Sequence, residues 1–114
     1  MLVKELLDQV KQSPSTIQFA DVMSCIDSHY VYSPTAFRNG SAENAAGTNE
    51  GSCKIFAFAQ IHALNLNETL SLFGTFYRDD VLKHPKNNDH ANIRNFMQSA
   101  WDGIAFEAIA LVAK

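Results

Sequence analysis

Residues 52–64 read SCKIFAFAQIHAL, and this stretch decides the fold. After its first turn the only polar residues are Gln60 and His62, so apolar side chains point in nearly every direction around a helical wheel. A helix that is apolar on all sides is normally buried inside a protein. We therefore predict that residues 52–64 form a buried central helix and that the other elements pack around it.

Four further stretches carry the apolar spacing of amphipathic helices, with side chains repeating at i, i+3, i+4 and i+7. Capping-box patterns at Ser15 with Gln18 and at Asn65 with Glu68 mark two of their starts, and Asp89 can cap the last. Together with the central helix they give about five helices, which makes the predicted fold mainly α. The predicted ranges of the four are 2–10, 15–29, 66–81 and 89–100.

Two shorter stretches favour extended structure and make the predicted class α+β. Residues 31–37 are rich in aromatic and β-branched side chains but contain Pro34, which cannot donate a backbone hydrogen bond and is typical of an edge strand. Residues 104–111 alternate weakly and fit a strand or a short helix. We favour a short two-stranded β element that pairs 31–37 with 104–111. Asn39-Gly40 predicts a turn, and residues 41–51 predict a polar loop.

Length and composition indicate one domain over residues 1–114, because 114 residues with 46% apolar and 18% charged side chains can build a self-sufficient core. A net charge of −3 without a basic cluster argues against nucleic acid or an anionic membrane as a partner.

Only two cysteines, Cys25 and Cys53, are present, which is typical of a reducing compartment. Residues 1–8 mix charges into their apolar pattern, unlike a signal peptide. We therefore expect a cytoplasmic protein.

Four longer blocks of the sequence carry a family resemblance. They read YSPTAFRNG (32–40), NEGSCKIFAFA (49–59), FYRDDVL (76–82) and HANIRNFM (90–97). These blocks are similar to the HopJ type III effector family, and the resemblance extends over about residues 17–111. It implies a bacterial protein, and the family is named for a protein delivered into plant cells by a bacterial secretion apparatus. Secretion into a host, with a host protein as partner, is therefore the alternative location. The resemblance implies no reaction and no ligand.

Cys53 is the candidate nucleophile of the sequence. It is placed near the start of the central helix, where unpaired N–H groups and the helix dipole lower a thiol pKa, and Lys54 beside it has the same effect. A cysteine-dependent hydrolase or transferase also needs a base, for which we select His90, with His62 as a second choice. The other interpretation is that Cys53 is a small buried residue that fills space at the helix start, as free cysteines commonly do.

A set of polar residues predicts a ligand-binding cleft at the start of the central helix. Its predicted members are Asn39, Asn44, Asn49, Glu50, Lys54, Arg78 and Arg94. Arg78 and Arg94 lie on consecutive predicted helices, which could bring them together around a carboxylate or phosphate. The other interpretation is a solvated face with ion pairs such as Asp79 with Lys83.

The hypothesis we rank first is a non-enzymatic domain that binds a small anion or a protein partner in this cleft, and the cysteine-dependent enzyme is the alternative. The polar residues are present in the sequence, whereas the geometry of a thiol and its base is not. The four histidines lack an i, i+4 pair, and the two cysteines form no Cys-x-x-Cys element, so we predict no metal site. We also expect no cofactor.

Overall fold

The computed structural model describes residues 1–114. Five α-helices, two 3₁₀-helices and one π-helix surround and flank two small antiparallel sheets. The α-helices are α1 (Val3–Gln12), α2 (Phe19–His29), α3 (Glu50–Ile61), α4 (Leu66–Ser71) and α5 (Ala91–Ser99), and the π-helix covers Phe76–Val81. The strands are β1 (Tyr30–Tyr32), β2 (Phe37–Asn39), β3 (Ala42–Asn44), β4 (Ile104–Phe106) and β5 (Leu111–Ala113), and the 3₁₀-helices cover Pro14–Thr16 and Ala100–Gly103.

Helix α3 is the buried centre of the fold, as predicted, although it begins at Glu50 and ends at Ile61. Every residue from Ile55 to Ala59 is buried. The ring of Phe56 packs against aromatic rings from four other parts of the chain, with centroid distances of 4.9–6.4 Å. These partners are Phe37, Phe73, Phe96 and Trp101. One aromatic cluster on α3 therefore joins the sheet to α5 and to the turn that follows α4.

The predicted pairing of residues 31–37 with 104–111 is confirmed, but it is divided between two sheets. Strand β1 pairs with β5, which places Tyr32 opposite Leu111, and β2 pairs with β4, which places Phe37 opposite Phe106. Pro34 lies between the two ladders and donates no hydrogen bond to either. Strand β3 completes the second sheet, whose order is β3-β2-β4. It lies within residues 41–51, for which the sequence predicted only a loop.

The prediction of a single helix over residues 66–81 is wrong, because the helix is interrupted before Gly74. Gly74 has φ +61°, and a Cβ atom there would lie 2.9 Å from the backbone nitrogen of Phe19. Only glycine adopts this conformation at so close an approach without strain. The capping box of α4 is confirmed, since Asn65 and Glu68 exchange hydrogen bonds of 3.0 and 2.8 Å. After Gly74 the chain resumes as the π-helix.

Two other predicted helix starts also differ from the structure. Helix α2 begins at Phe19 rather than at Ser15, which lies in the first 3₁₀-helix. Helix α5 is preceded by His90 in a left-handed conformation, while the carboxylate of Asp89 binds Arg94 instead of capping the helix. None of the helices is both long and apolar enough to cross a membrane.

Candidate functional site

A cleft of about 500 Å³ opens where the first turns of α3 and α5 meet. Its volume is in the range of pockets that bind small molecules. The apolar part of its lining includes three aromatic rings and one aliphatic side chain, those of Phe19, Phe73, Phe76 and Ile93. The polar side chains are those of Glu43, Asn44, Asn49, Ser52, His90 and Asn92, and Gly51 contributes its backbone. The cleft therefore combines an apolar surface with groups that can bind a polar ligand.

Both helices present uncapped N-termini to this cleft. The residues that precede them, Asn49 and His90, have left-handed backbones with φ 49° and 52°, and neither side chain accepts a hydrogen bond from the helix. The six N–H groups of Glu50, Gly51, Ser52, Ala91, Asn92 and Ile93 consequently have no acceptor within the protein. Free N–H groups and the positive end of the helix dipole favour an anion. Here two such ends converge on one cleft.

A buried network of asparagine side chains holds the two helix starts in place. Asn92, in the first turn of α5, accepts hydrogen bonds from Asn39 and Asn44 at 3.0 and 3.2 Å and donates one to Asn44 at 3.0 Å. Asn49, which precedes α3, donates to the same Asn44 oxygen at 2.7 Å. The Asn44 amide is therefore fully used within the protein, and Asn92 uses its oxygen twice and one of its two N–H groups, so both side chains position the helices. The buried Oδ1 atom of Asn39 has no hydrogen-bond partner.

His90 is the titratable ring that lines the cleft. Its Nε2 atom lies 3.0 Å from a carboxylate oxygen of Asp80 and 3.8 Å from one of Asp89, and its ring packs on Phe76 at a centroid distance of 5.2 Å. The hydrogen bond from Arg94 holds the pKa of Asp89 below its ordinary value. Asp80 and Phe76 both belong to the π-helix. π-Helical segments occur frequently at functional sites because they reposition side chains relative to an α-helix.

The predicted pair of arginines does not meet in the structure. Arg78 donates to the backbone oxygen of Ile17 at 2.9 Å, and Arg94 donates to the Asp89 carboxylate at 2.7 Å. Lys54 is likewise occupied, because it binds Asp27 at 2.9 Å and covers the ring of Tyr32 at 4.8 Å. None of the three lines the cleft.

Glu50 lies at the start of α3 but outside the cleft. It is the first residue of α3, its side chain is exposed, and it does not line the cleft. Its carboxylate is placed where the helix dipole favours a negative charge. No group of three or more His, Cys, Asp or Glu side chains converges in a way that could hold a metal ion.

The expected pairing of Cys53 with a histidine base is not formed. The Cys53 thiol is 1% exposed and donates to the backbone oxygen of Thr35 at 3.6 Å. His90 binds Asp80, and His62 binds the hydroxyl group of Tyr30 at 2.7 Å. Burial raises the pKa of Cys53, which outweighs the lowering effects of its hydrogen bonds and of Lys54. The expectation of a lowered thiol pKa was therefore wrong, because Cys53 lies one turn into α3 and inside the core.

We predict that Cys53 alkylates slowly in the folded protein, at a rate at least about tenfold below that of the unfolded chain, because the reactive thiolate is disfavoured and shielded. The measurement is iodoacetamide labelling of the Cys25→Ser variant with and without denaturant, which isolates Cys53 from the other buried thiol. Equal rates in the two states, or fast labelling below pH 8, would show that the thiol is accessible and activated.

His62 has a lowered pKa because it is partly buried at the end of α3. The unfolded chain then binds a proton at a pH where the folded protein does not, so stability is lost as the pH falls below the ordinary histidine value of about 6.5. We expect that the free energy of unfolding decreases between about pH 7.5 and about pH 5, and that His62→Gln reduces this decrease. Urea denaturation of the wild type, His62→Gln and the exposed-site control His84→Gln measures it. An unchanged slope in His62→Gln would contradict the assignment.

Sequence reasoning selected two residues that line the cleft, Asn49 and Asn44, and also His90, but it assigned His90 to the wrong partner. It missed Ser52 as a lining residue and it missed Asn92 as the centre of the asparagine network. A usable signal was present, since Asn92 is a polar residue one position before the apolar stripe of α5. Phe19 and Phe76 gave no such signal, because their spacing is that of ordinary core residues.

Comparisons with known proteins identify the family of the chain. It matches the family model described as HopJ type III effector protein over residues 3–111. Its structure is similar to the crystal structure of a protein of unknown function, VPA0580, with a TM-score of 0.98 and 52% sequence identity, over 100% of this chain and 95% of the other. Among curated proteins none matches the sequence. Because the family model covers nearly the whole chain, the protein belongs to the HopJ type III effector family.

Proposed function

We propose that this protein is a non-enzymatic binding domain whose cleft takes a small organic anion. The observation that carries the proposal is the convergence of two uncapped helix N-termini on one cleft. Buried or partly buried N–H groups left without an acceptor are costly, and an anion supplies the missing acceptor. In contrast, the start of α4 has a side-chain cap, because Asn65 accepts a hydrogen bond from the N–H group of Glu68.

The charges around the cleft favour a singly charged ligand. No lysine or arginine side chain lines it, and the exposed carboxylate of Glu43 lies at its edge. A doubly charged phosphate would meet about one positive charge from the two helix termini together, and the His90 ring is already hydrogen-bonded to the Asp80 carboxylate. Each helix terminus carries about half an elementary charge, so the two together match one negative charge.

The proposal assigns different roles to the polar residues of the site. The ligand contacts are the N–H groups of the two first turns, with Ser52 and His90 as side-chain contacts. Asn39, Asn44 and Asn49 position these turns through the asparagine network. Lys54, Arg78 and Arg94 make their own hydrogen bonds outside the cleft. The proposed anion is therefore recognised mainly by backbone N–H groups.

A thermal-shift measurement at constant ionic strength tests the proposal. Acetate and formate should raise the melting temperature relative to chloride, by about 6 °C when the ligand exceeds its dissociation constant tenfold. Ser52→Asp and Ala91→Asp each place a carboxylate at one helix start, which should keep or increase stability while abolishing the response. Ala46→Asp adds the same charge in an exposed turn outside the cleft and should respond like the wild type. A flat response of the wild type to every anion would overturn the proposal.

We further place this activity in the bacterial cytoplasm, with delivery into a host cell as the alternative raised by the family description. The two free cysteines support the cytoplasmic location, because unpaired thiols are typical of a reducing compartment. A translocation reporter fused to the C-terminus in a secretion-competent strain distinguishes the two. Signal inside the host cell would overturn the cytoplasmic location and point to a host partner.

A further inference from the structure

The cleft contains an aromatic wall next to its free N–H groups. The rings of Phe19 and Phe76 meet edge to face at a centroid distance of 5.0 Å, and Phe76 continues to the ring of His90 at 5.2 Å. Phe76 is 37% exposed, whereas the other seven phenylalanines are buried or partly buried. All three rings line the cleft. An apolar ligand surface would cover them.

The aromatic wall lies directly against the start of α3. A Cβ atom at Gly51 would be 2.8 Å from the ring of Phe19, so the missing side chain of Gly51 lets the ring rest on the first helical turn. The absence of a side chain at Gly51 matters for this close approach, and its φ angle is not left-handed. A ligand group bound at the N–H of Gly51 therefore has the Phe19 ring as an immediate neighbour, without space for a long linker between its charged and apolar parts.

From this juxtaposition we infer that the ligand is an aromatic monocarboxylate whose carboxylate is attached at or within one carbon of a flat ring. The inference rests on the proposed anion-binding function and specifies its ligand class. The carboxylate accepts from the N–H groups of the two first turns, and the ring packs against Phe19 and Phe76. Offset or edge-to-face packing of this kind contributes beyond simple burial of apolar area.

Charge and shape together exclude the nearest competing classes. A phosphate ester would bring a second negative charge towards Glu43, with no lysine or arginine side chain in the cleft to balance it. A long aliphatic acid would pack less well than a flat ring, because the apolar part of the lining consists mainly of aromatic rings. A neutral aromatic amide offers the ring but carries no net charge for the helix termini.

Isothermal titration of the full chain with acetate and three larger probes of matched size tests the inference. Benzoate should bind about tenfold more tightly than acetate, cyclohexanecarboxylate should fall between them, and benzamide should bind no more tightly than acetate. In Phe76→Ala the advantage of benzoate over acetate should disappear while the affinity for acetate is retained. Met97→Ala removes an apolar side chain of matching exposure, 38%, outside the cleft and should leave all affinities unchanged.

The outcomes separate the two proposals. If acetate and benzoate bind equally in the wild type, or if Phe76→Ala keeps the preference for benzoate, the aromatic ligand class is wrong while anion binding stands. If benzamide binds as tightly as benzoate, the carboxylate is not recognised and the inference also fails. If no carboxylate binds at all, the proposed function itself fails.

Discussion

Phe56→Ala is expected to lower the free energy of unfolding by about 3–5 kcal/mol, the usual cost of removing a fully buried aromatic ring. The ring is 0% exposed and lies at the centre of α3. It contacts rings from the sheet, from the segment after α4 and from the α5 region, so the cavity would be bordered by several elements at once. Such a site collapses poorly, which places the cost in the upper part of the range.

Guanidinium denaturation followed by circular dichroism measures this effect. Ile61→Ala is the matched control, because Ile61 is on the same helix but 51% exposed, and it should change stability by less than about 1 kcal/mol. A loss below about 1.5 kcal/mol for Phe56→Ala would show that α3 is not the centre of the core.

Asn92→Ala is the second large effect, with an expected loss of about 1–3 kcal/mol together with weakened anion binding. The Asn92 amide accepts a hydrogen bond from Asn39 and exchanges hydrogen bonds with Asn44, and removal of its side chain leaves buried polar groups with fewer partners. It also releases the link between the starts of α5 and α3, so the two sets of N–H groups are no longer held towards one ligand.

The control for Asn92→Ala is Asn67→Ala, which removes an exposed amide from α4. Stability by denaturation and acetate affinity by titration should both fall in Asn92→Ala and remain near wild type in Asn67→Ala. Loss of stability with unchanged affinity would show that the asparagine network supports the fold but does not align the cleft.

The sequence predicted those parts of the fold that depend on local pattern. The run from Ile55 to Ala59 indicated a buried helix because apolar side chains cover all of its faces, and Asn65 with Glu68 indicated a helix start because both bonds of the capping box are local. The break at Gly74 was missed, because it depends on the approach of Phe19 from another part of the chain. Contacts of this kind leave no periodic signal in the sequence.

The candidate site was only partly predictable for the same reason. Asn44 and Asn49 were selected as polar residues near the central helix, but their connection through Asn92 joins positions 48 residues apart. Cys53 was placed near the helix start by counting residues, whereas its pKa is set by the core that surrounds it. Arg78 and Arg94 were predicted to lie together, but Arg78 donates to the backbone oxygen of Ile17 and Arg94 donates to the carboxylate of Asp89.

The central claim is that the starts of α3 and α5 together hold a small anion, and amide chemical shifts test it most directly. In a titration of ¹⁵N-labelled protein with benzoate at constant ionic strength, the N–H signals of Gly51, Ser52, Ala91 and Asn92 should shift most and with one common dissociation constant. That result would show both helix starts binding the same ligand. The claim would be contradicted if these four N–H signals did not move and only the N–H signals of exposed basic residues such as Arg38 and Lys83 shifted.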